Sequence, residues 1–325
     1  MNSNGVWVNM GMNGKITIIG AAVVDFLVGP MDRNIFVEGS VPVENMIFSY
    51  GGDALNEATF LSGMGAECEL ITLLGKDDTG ERILNCLKKN RISTQKITFS
   101  YEVPSATNIV LVDKEGERYF LTNPKSSLRM LSKMDILPYV DEMGDIVSFA
   151  SIFVSPKLGI SDMEEVFEKI KEKEGRILVA DMTTAKRGEK IEDLEPLLKY
   201  IDYIIPNKKE AEILTGEKDP YRSLEAFVQH GAKGVIIKCG KDGCVYKSGN
   251  EICNVSAFRT TAVDTTGAGD SFAAGFIYGL SRKMELRDCC KMGCASASLV
   301  VEKMGTQGII TDPSQVIERF EFLNV

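Results

Sequence analysis

Residues Val263–Leu280 read VDTTGAGDSFAAGFIYGL, and the fold class follows from how this stretch is built. A strand-like Ala262-Val263 leads to Asp264. Gly267, Ala268 and Gly269 have minimal side chains, and an apolar helix is predicted from Ser271 to about Leu280. A loop of small residues opening a helix aims backbone N–H groups at an anion, and the helix dipole adds positive potential. A carboxylate there repels phosphate, so Asp270 is out of place in a pure anion site. It makes sense if Asp270 takes a proton from a hydroxyl while nearby amides stabilise charge developing on a transferred phosphoryl group. The competing reading is that Asp270 is a helix N-cap, a position that favours Asp.

Outward from this segment, strand-like runs recur at Lys15–Gly20, Glu69–Leu74, Asp145–Phe149, Arg176–Ala180, Tyr203–Ile205 and Gly234–Lys238. Amphipathic helical stretches lie between them, among them Ala54–Gly65 and Ser161–Glu174. In the latter, Ser161 and Glu164 have the spacing of a capping box. Alternating strands and helices predict an α/β fold with a mostly parallel central sheet and helices on both faces. Ligands of such sheets sit outside the carboxyl ends of the strands. Residues at about 30–50 and 101–123 break the rhythm as strands without helices. The turn in VDKEGER suggests a hairpin, and the two inserts are expected to pair into a small sheet forming a lid. The alternative is that they are edge strands of the main sheet. Residues 1–14 read as a polar leader before a single domain spanning 15–325.

Three further constellations stand beside Asp270. In Gly51–Gly52–Asp53–Ala54–Leu55–Asn56 the glycines bring backbone close to something. Asp53 and Asn56 share a helix face and suit a polyhydroxyl ligand. Asp25, just beyond the first strand, is similar; each has a capping role as its rival. Asn207 and Glu210, three apart after the strand YIIP, can hold waters around Mg²⁺ near nucleotide phosphates, or form a capping box. Lys238-Cys239-Gly240-Lys241-Asp242-Gly243 follows a strand, as a phosphate-facing loop or a hairpin turn. No G-x-x-x-x-G-K-[ST] and no G-x-G-x-x-G after the first strand is present.

Composition narrows the class. The chain has 325 residues and a formal net charge of -9, a sign that disfavours nucleic-acid binding. No run is apolar enough to cross a membrane. The eight cysteines include no C-x-x-C pair and mostly sit in apolar surroundings, as in a reduced, cytoplasmic protein. A Ser-His-Asp or Cys-His hydrolase would need the single His230, which reads as a helix end before a glycine.

Two long segments together resemble the PfkB/ribokinase family of carbohydrate kinases: GGDALNEATFLSGMGAECELITLLG, with Gly65 and Gly75 at the family spacing, and DTTGAGDSFAAGFI. The order of parts along roughly 15–320 matches too. The resemblance implies a ribokinase-like three-layer sandwich with a β-sheet lid, and phosphorylation of a small-molecule sugar by ATP with Mg²⁺. Asp270 would be the general base, and Gly267, Ala268 and Gly269 the anion hole. Asp25, Gly51, Gly52, Asp53 and Asn56 would bind the sugar. Asn207, Glu210, Lys238, Gly240 and Gly243 would serve ATP, with Glu210 reaching Mg²⁺ through water. Asp264 and Thr266, with Val300 and Gly305, match positions that hold a monovalent cation such as K⁺ in many relatives. A homodimer through the lid is expected. Compared with ribokinases, Asp53 replaces a lysine or small residue, the strand end SFAS at Ser148–Ser151 lacks a carboxylate, and Lys238 replaces threonine. A nucleoside kinase of the same fold would need an aromatic clamp from Phe36, Tyr50, Tyr119 or Phe120. A sugar sensor without turnover is the third reading.

Overall fold

The computed structural model describes residues 14–115, 117–303 and 313–323, so residues 1–13 of the expected leader lie outside it. In chain order the strands are β1 Ile16–Ile19, β2 Val23–Met31, β3 Asn45–Gly51, β4 Cys68–Gly75, β5 Ile97–Ser100, β6 Ala106–Asp113 and β7 Arg118–Thr122. They continue with β8 Ile146–Ile152, β9 Ile177–Met182, β10 Tyr203–Ile204, β11 Gly234–Lys238, β12 Cys244–Ser248 and β13 Glu251–Val255. Among the described residues, nine strands form the main sheet in the order β13-β12-β11-β10-β9-β8-β1-β4-β5. Pairing is parallel from β5 to β11, and β12 and β13 add antiparallel at one edge.

A parallel sheet must be covered on both faces, and its strands are correspondingly apolar throughout. All eight residues of β4 are buried. Leu70 and Leu74 pack on one side with Phe60 and Phe276, while Ile71 and Leu73 pack on the other with Phe167 and Phe227. The first face carries the helices Asp53–Gly63, Asp78–Lys89, Ala268–Ser281 and Leu286–Val300. The second carries Ile160–Lys171, Ile191–Leu198, Lys208–Thr215 and Pro220–Gln229. This is the expected three-layer sandwich.

The glycines inside the Ala268–Ser281 helix have a packing reason. A Cβ on Gly275 would stand 2.3 Å from Ser296 Oγ, and one on Gly279 would stand 2.9 Å from Cys289 Cα. Small residues at this i, i+4 spacing let the Leu286–Val300 helix lie close against this one. The close packing fixes where the helix begins, and so where Asp270 stands. One local expectation fails. The helix near Ser161 starts at Ile160 with Gly159 as its cap and no side-chain cap bond. Glu164 instead pairs with Lys199 at 2.9 Å. Ile160 packs against the core, and its burial extends the helix past the polar signal.

The interrupted segments form a separate sheet in the order β3-β2-β6-β7. β2 pairs antiparallel with β3 and parallel with β6, and β6 and β7 make the expected hairpin. They are not edge strands of the main sheet. This lid sheet starts at Val23, and its first connection holds one helical turn, Ile35–Glu38. Among the described residues no helix is long and apolar enough to cross a membrane. His230 caps the end of the Pro220–Gln229 helix, with its Nδ1 2.6 Å from Glu195 Oε1.

Candidate active site

A cavity of about 900 Å³ opens at the carboxyl ends of β8, β9 and β11. Asp53 and Ser151 form one wall, Asn207, Glu210 and Lys238 another, and the turn Gly240–Gly243 with Phe258–Thr260 closes the far side. Ala268, Gly269 and Asp270 reach into it from the start of their helix. This is the crevice in which open α/β sheets hold ligands.

Asp270 is not a helix cap. The helix begins at Ala268 behind Gly267, whose φ of 76° only glycine takes without strain. Asp270 is therefore the third helical residue, with its side chain turned into the cavity. Asn56 Nδ2 donates to Asp270 Oδ2 at 2.6 Å, fixing the carboxyl from the Asp53–Gly63 helix. Enclosure away from bulk water raises Asp270 to about 8, and the charge of Asp53 adds to the effect, while Asn56 and Lys238 oppose it. Ala268, one of the three expected anion-hole residues, spends its amide on the Thr265 carbonyl at 3.2 Å.

Asp25 lies within the lid strand β2, outside the lining of this cavity, and accepts from Asn108 Nδ2 at 2.9 Å. Thr122 in turn holds Asn108 at 2.8 Å. Gly51 is required by this carboxylate: a Cβ there would stand 2.3 Å from Asp25 Oδ2. Gly52 has φ 91° and opens the Asp53–Gly63 helix. The strand end SFAS is not without carboxylates, because this helix supplies two. Asp53 is hydrogen-bonded to Ser151, and its carboxyl is raised by burial against the pull of Lys238 and Lys186. Ser148 donates to Glu57 Oε2 at 2.6 Å, while the buried Glu57 Oε1 has no hydrogen-bond partner among the described residues. Burial, reinforced by the charges of Asp181, Asp270 and Asp53, raises the Glu57 carboxyl well above its usual value, against the Ser148 hydrogen bond.

On the opposite wall, the capping box and the hairpin turn are both formed, and both also line the cavity. Asn207 and Glu210 form a reciprocal capping box at 2.9 and 2.7 Å, and both line the cavity. Burial raises Glu210 to about 7, against the pull of Lys238. β11 and β12 are a hairpin, as the Lys241-Asp242-Gly243 turn allowed, and the turn with Gly240 forms part of the cavity rim. Gly243 has φ 92°, and a Cβ there would collide with the Val255 carbonyl at 2.0 Å.

Residues 13–313 match the model of the pfkB family carbohydrate kinases. The chain belongs to this family. It is 28% identical to the ribokinase of Staphylococcus aureus, covering 92% of this chain and 97% of that protein. It is 27% identical to the 2-dehydro-3-deoxygluconokinase of Haemophilus influenzae, covering 81% and 90%. The solved Arabidopsis thaliana ribokinase, complexed with ribose and ATP, superimposes with a TM-score of 0.80 at 22% identity over 96% of this chain and all of that one. This pfkB-family protein is an ATP-dependent phosphotransferase with an alcohol acceptor. The two curated relatives are almost equally similar to it and take different acceptors, so overall likeness leaves the acceptor open.

Three residues of this kinase's site escape the sequence reading. Asp181, at the carboxyl end of β9, had a signal, since that strand end faces the crevice. Glu57 and Ser151 had none, because only the crossing of helix and strand brings Glu57 to Ser148 and Asp53 to Ser151. For Mg²⁺, no three His, Cys, Asp or Glu side chains converge on one point among the described residues. Glu210 and Asp181 nonetheless share the cavity wall, which suits an ion carried by phosphates and reached through water. At the expected K⁺ position, Asp264 Oδ1 accepts from the amide and hydroxyl of Thr266 at 3.0 and 2.8 Å. The Val300 carbonyl accepts from Lys303 at 3.2 Å, and Gly305 lies outside the described residues.

Proposed function

We propose that this kinase transfers the γ-phosphoryl group of ATP to a primary hydroxyl of a small sugar, as fructokinases and ribokinases do. The observation that carries this reading is the placement of Asp270. Its carboxyl stands at the mouth of a helix N-terminus, held by Asn56, between the Asp53–Ser151 wall and the Lys238–Asn207 wall. The acceptor lies against Asp25, Gly51, Gly52 and Asp53, and the nucleotide against Asn207, Glu210, Lys238, Gly240 and Gly243. Asp270 takes the hydroxyl proton as the new O–P bond forms and the β–γ bond breaks, releasing ADP. Gly267 and Gly269, with Ala268 shaping the turn between them, face the charge on the moving group. Glu210 would reach Mg²⁺ brought with ATP through water, and the ion would offset phosphate charge. K⁺ at Asp264, Thr266, Val300 and Gly305 would fix the loop before Gly267.

The nucleoside reading has less support. Like Asp25, Gly51 and Gly52, the residues Phe36, Tyr50, Tyr119 and Phe120 lie outside the lining of the cavity that holds Asp270, so the aromatic clamp is judged by its own surroundings. Phe36 is 86% exposed, and Tyr50 packs against the core. The lid also exposes Met46, Phe48 and Phe120, the surface on which a homodimer would form, measurable by sedimentation.

A coupled ADP-release screen over pentoses, hexoses, sugar acids and nucleosides tests the function, run in K⁺ and in tetramethylammonium. Turnover with a neutral sugar and faster rates in K⁺ are expected. Turnover with nucleosides alone would overturn the acceptor assignment, and ligand binding without ADP release would indicate a sensor.

The pH dependence follows from Asp270. The base acts deprotonated, and the free site titrates at about 8. The value of kcat/KM should therefore rise about tenfold per pH unit below that point and level off above it. A flat profile between pH 6 and 9 would remove Asp270 from the base role.

A further inference from the structure

The base and the amides do not explain why a lysine is buried at the heart of the cavity. Lys238 is the last residue of β11, and its backbone amide donates to the Pro206 carbonyl at 2.9 Å, so its Cα is fixed at the sheet end. Its Nζ stands 2.5 Å from Asp181 Oδ2, with side chains only 12% and 6% exposed. The other oxygen of Asp181 accepts the Met182 amide at 2.7 Å, so the carboxylate itself is held rigidly. A Cβ on Gly269 would stand 3.4 Å from the ammonium, with nothing else within 4 Å. The ammonium therefore lies at the mouth of the helix, where the anion hole was expected.

Asp181 engages one of the three ammonium N–H donors. Charge in this region is otherwise acidic: Asp53, Glu210 and Asp270 line the same cavity, and the nucleotide brings more negative charge. Two other cations line the cavity, Lys241 and Arg259, and both are exposed on the rim. A buried ion pair contributes little net stability compared with apolar side chains of similar size. Stability alone is a weak reason to keep this one.

Resting on the kinase reading above, we propose that Lys238 is a further catalytic residue: its ammonium contacts the transferred phosphoryl group beside Gly269, and Asp181 is the positioning residue that aims it. A fixed cation in a water-poor site stabilises the charge that spreads over the equatorial oxygens in the transition state. A contact made to the transferred phosphoryl group alone is one that ATP offers and ADP does not.

The test compares Lys238→Met, Lys238→Arg, Asp181→Asn and the double variant Lys238→Met/Asp181→Asn with wild type. The readouts are kcat and calorimetric affinities for ADP and for a non-hydrolysable ATP analogue. Lys238→Met should lose about 10²-fold in kcat. It should bind the ATP analogue at least about tenfold more weakly, while ADP affinity changes less than about threefold. Lys238→Arg should recover part of both losses, and Asp181→Asn should lower kcat without changing ADP affinity. Equal weakening of ADP and ATP analogue, or an arginine variant no better than methionine, would overturn the proposal. If Lys238→Met misfolds because Asp181 is left unpaired, the double variant removes both charges, and near wild-type turnover in it would overturn the proposal equally. Wild-type protein that releases no ADP with any acceptor counts against the kinase reading alone. The ATP-against-ADP affinity difference still decides the role of Lys238.

Discussion

Asp270→Asn should lower kcat by about 10³-fold while ATP affinity stays within a few-fold of wild type, because the lost step is proton acceptance. The substitution keeps the shape of the side chain and an oxygen for Asn56 Nδ2, now 2.6 Å from Oδ2. Positioning is thereby preserved while basicity is removed. The same variant should be more stable. The carboxyl of Asp270 is raised from 3.8 to about 8 in the folded protein. A raised carboxyl means that the native state keeps a proton that the unfolded chain releases. Stability is then present at low pH and is lost as pH rises from about 4 to about 8. Asparagine carries no charge to desolvate, so at pH 8 the melting temperature should rise by about 2–4 °C. The gain should shrink towards pH 4. Activity near wild type would remove the base assignment, and an unchanged Tm at pH 8 would contradict the cost of holding this carboxylate.

Gly52→Ala should be damaging on two counts. At Gly52 the backbone has φ 91° and ψ 132°, a region that side chains avoid. A Cβ would stand 2.6 Å from the Ala21 carbonyl oxygen, which is backbone and cannot swing aside. The Leu55 amide donates to that same oxygen at 3.3 Å, tying the first turn of the helix to the end of β1. Relief requires the helix to shift, at a cost of about 3 kcal/mol and a fall of roughly 5–10 °C in Tm. Asp53 and Asn56 ride on that first turn. Asn56 would leave Asp270, and a displacement of about 1 Å at the base costs about 10²-fold in kcat/KM. Thermal denaturation and steady-state kinetics on the folded fraction separate the two losses. A variant with wild-type Tm and kcat/KM would show that the glycine is dispensable.

Local signals located most of the motifs that meet at the cavity. The run of small residues before an apolar helix placed Gly267–Asp270 at a helix start, since nothing but a tight turn needs three such residues there. The paired glycines before Asp53 had the same cause, now visible as contacts with Asp25 and Ala21. Strand positions were legible because each strand, buried on both faces, is a short apolar run. Helix starts were less so: tertiary burial of Ile160 overrode the polar spacing at Ser161.

What the amino-acid order determined alone was the α/β class and the family, and it singled out Asp270 as the candidate centre, because each depends on residues adjacent in the chain. Only the tertiary structure decided that Asp270 is not a cap, that Asn56 holds it, and that Asp53 and Glu57 meet Ser151 and Ser148. It alone aimed Lys238 from Asp181 onto Gly269. These pairings join residues tens to hundreds of positions apart. Their distances are set by how the helices pack on the sheet, which no local pattern records.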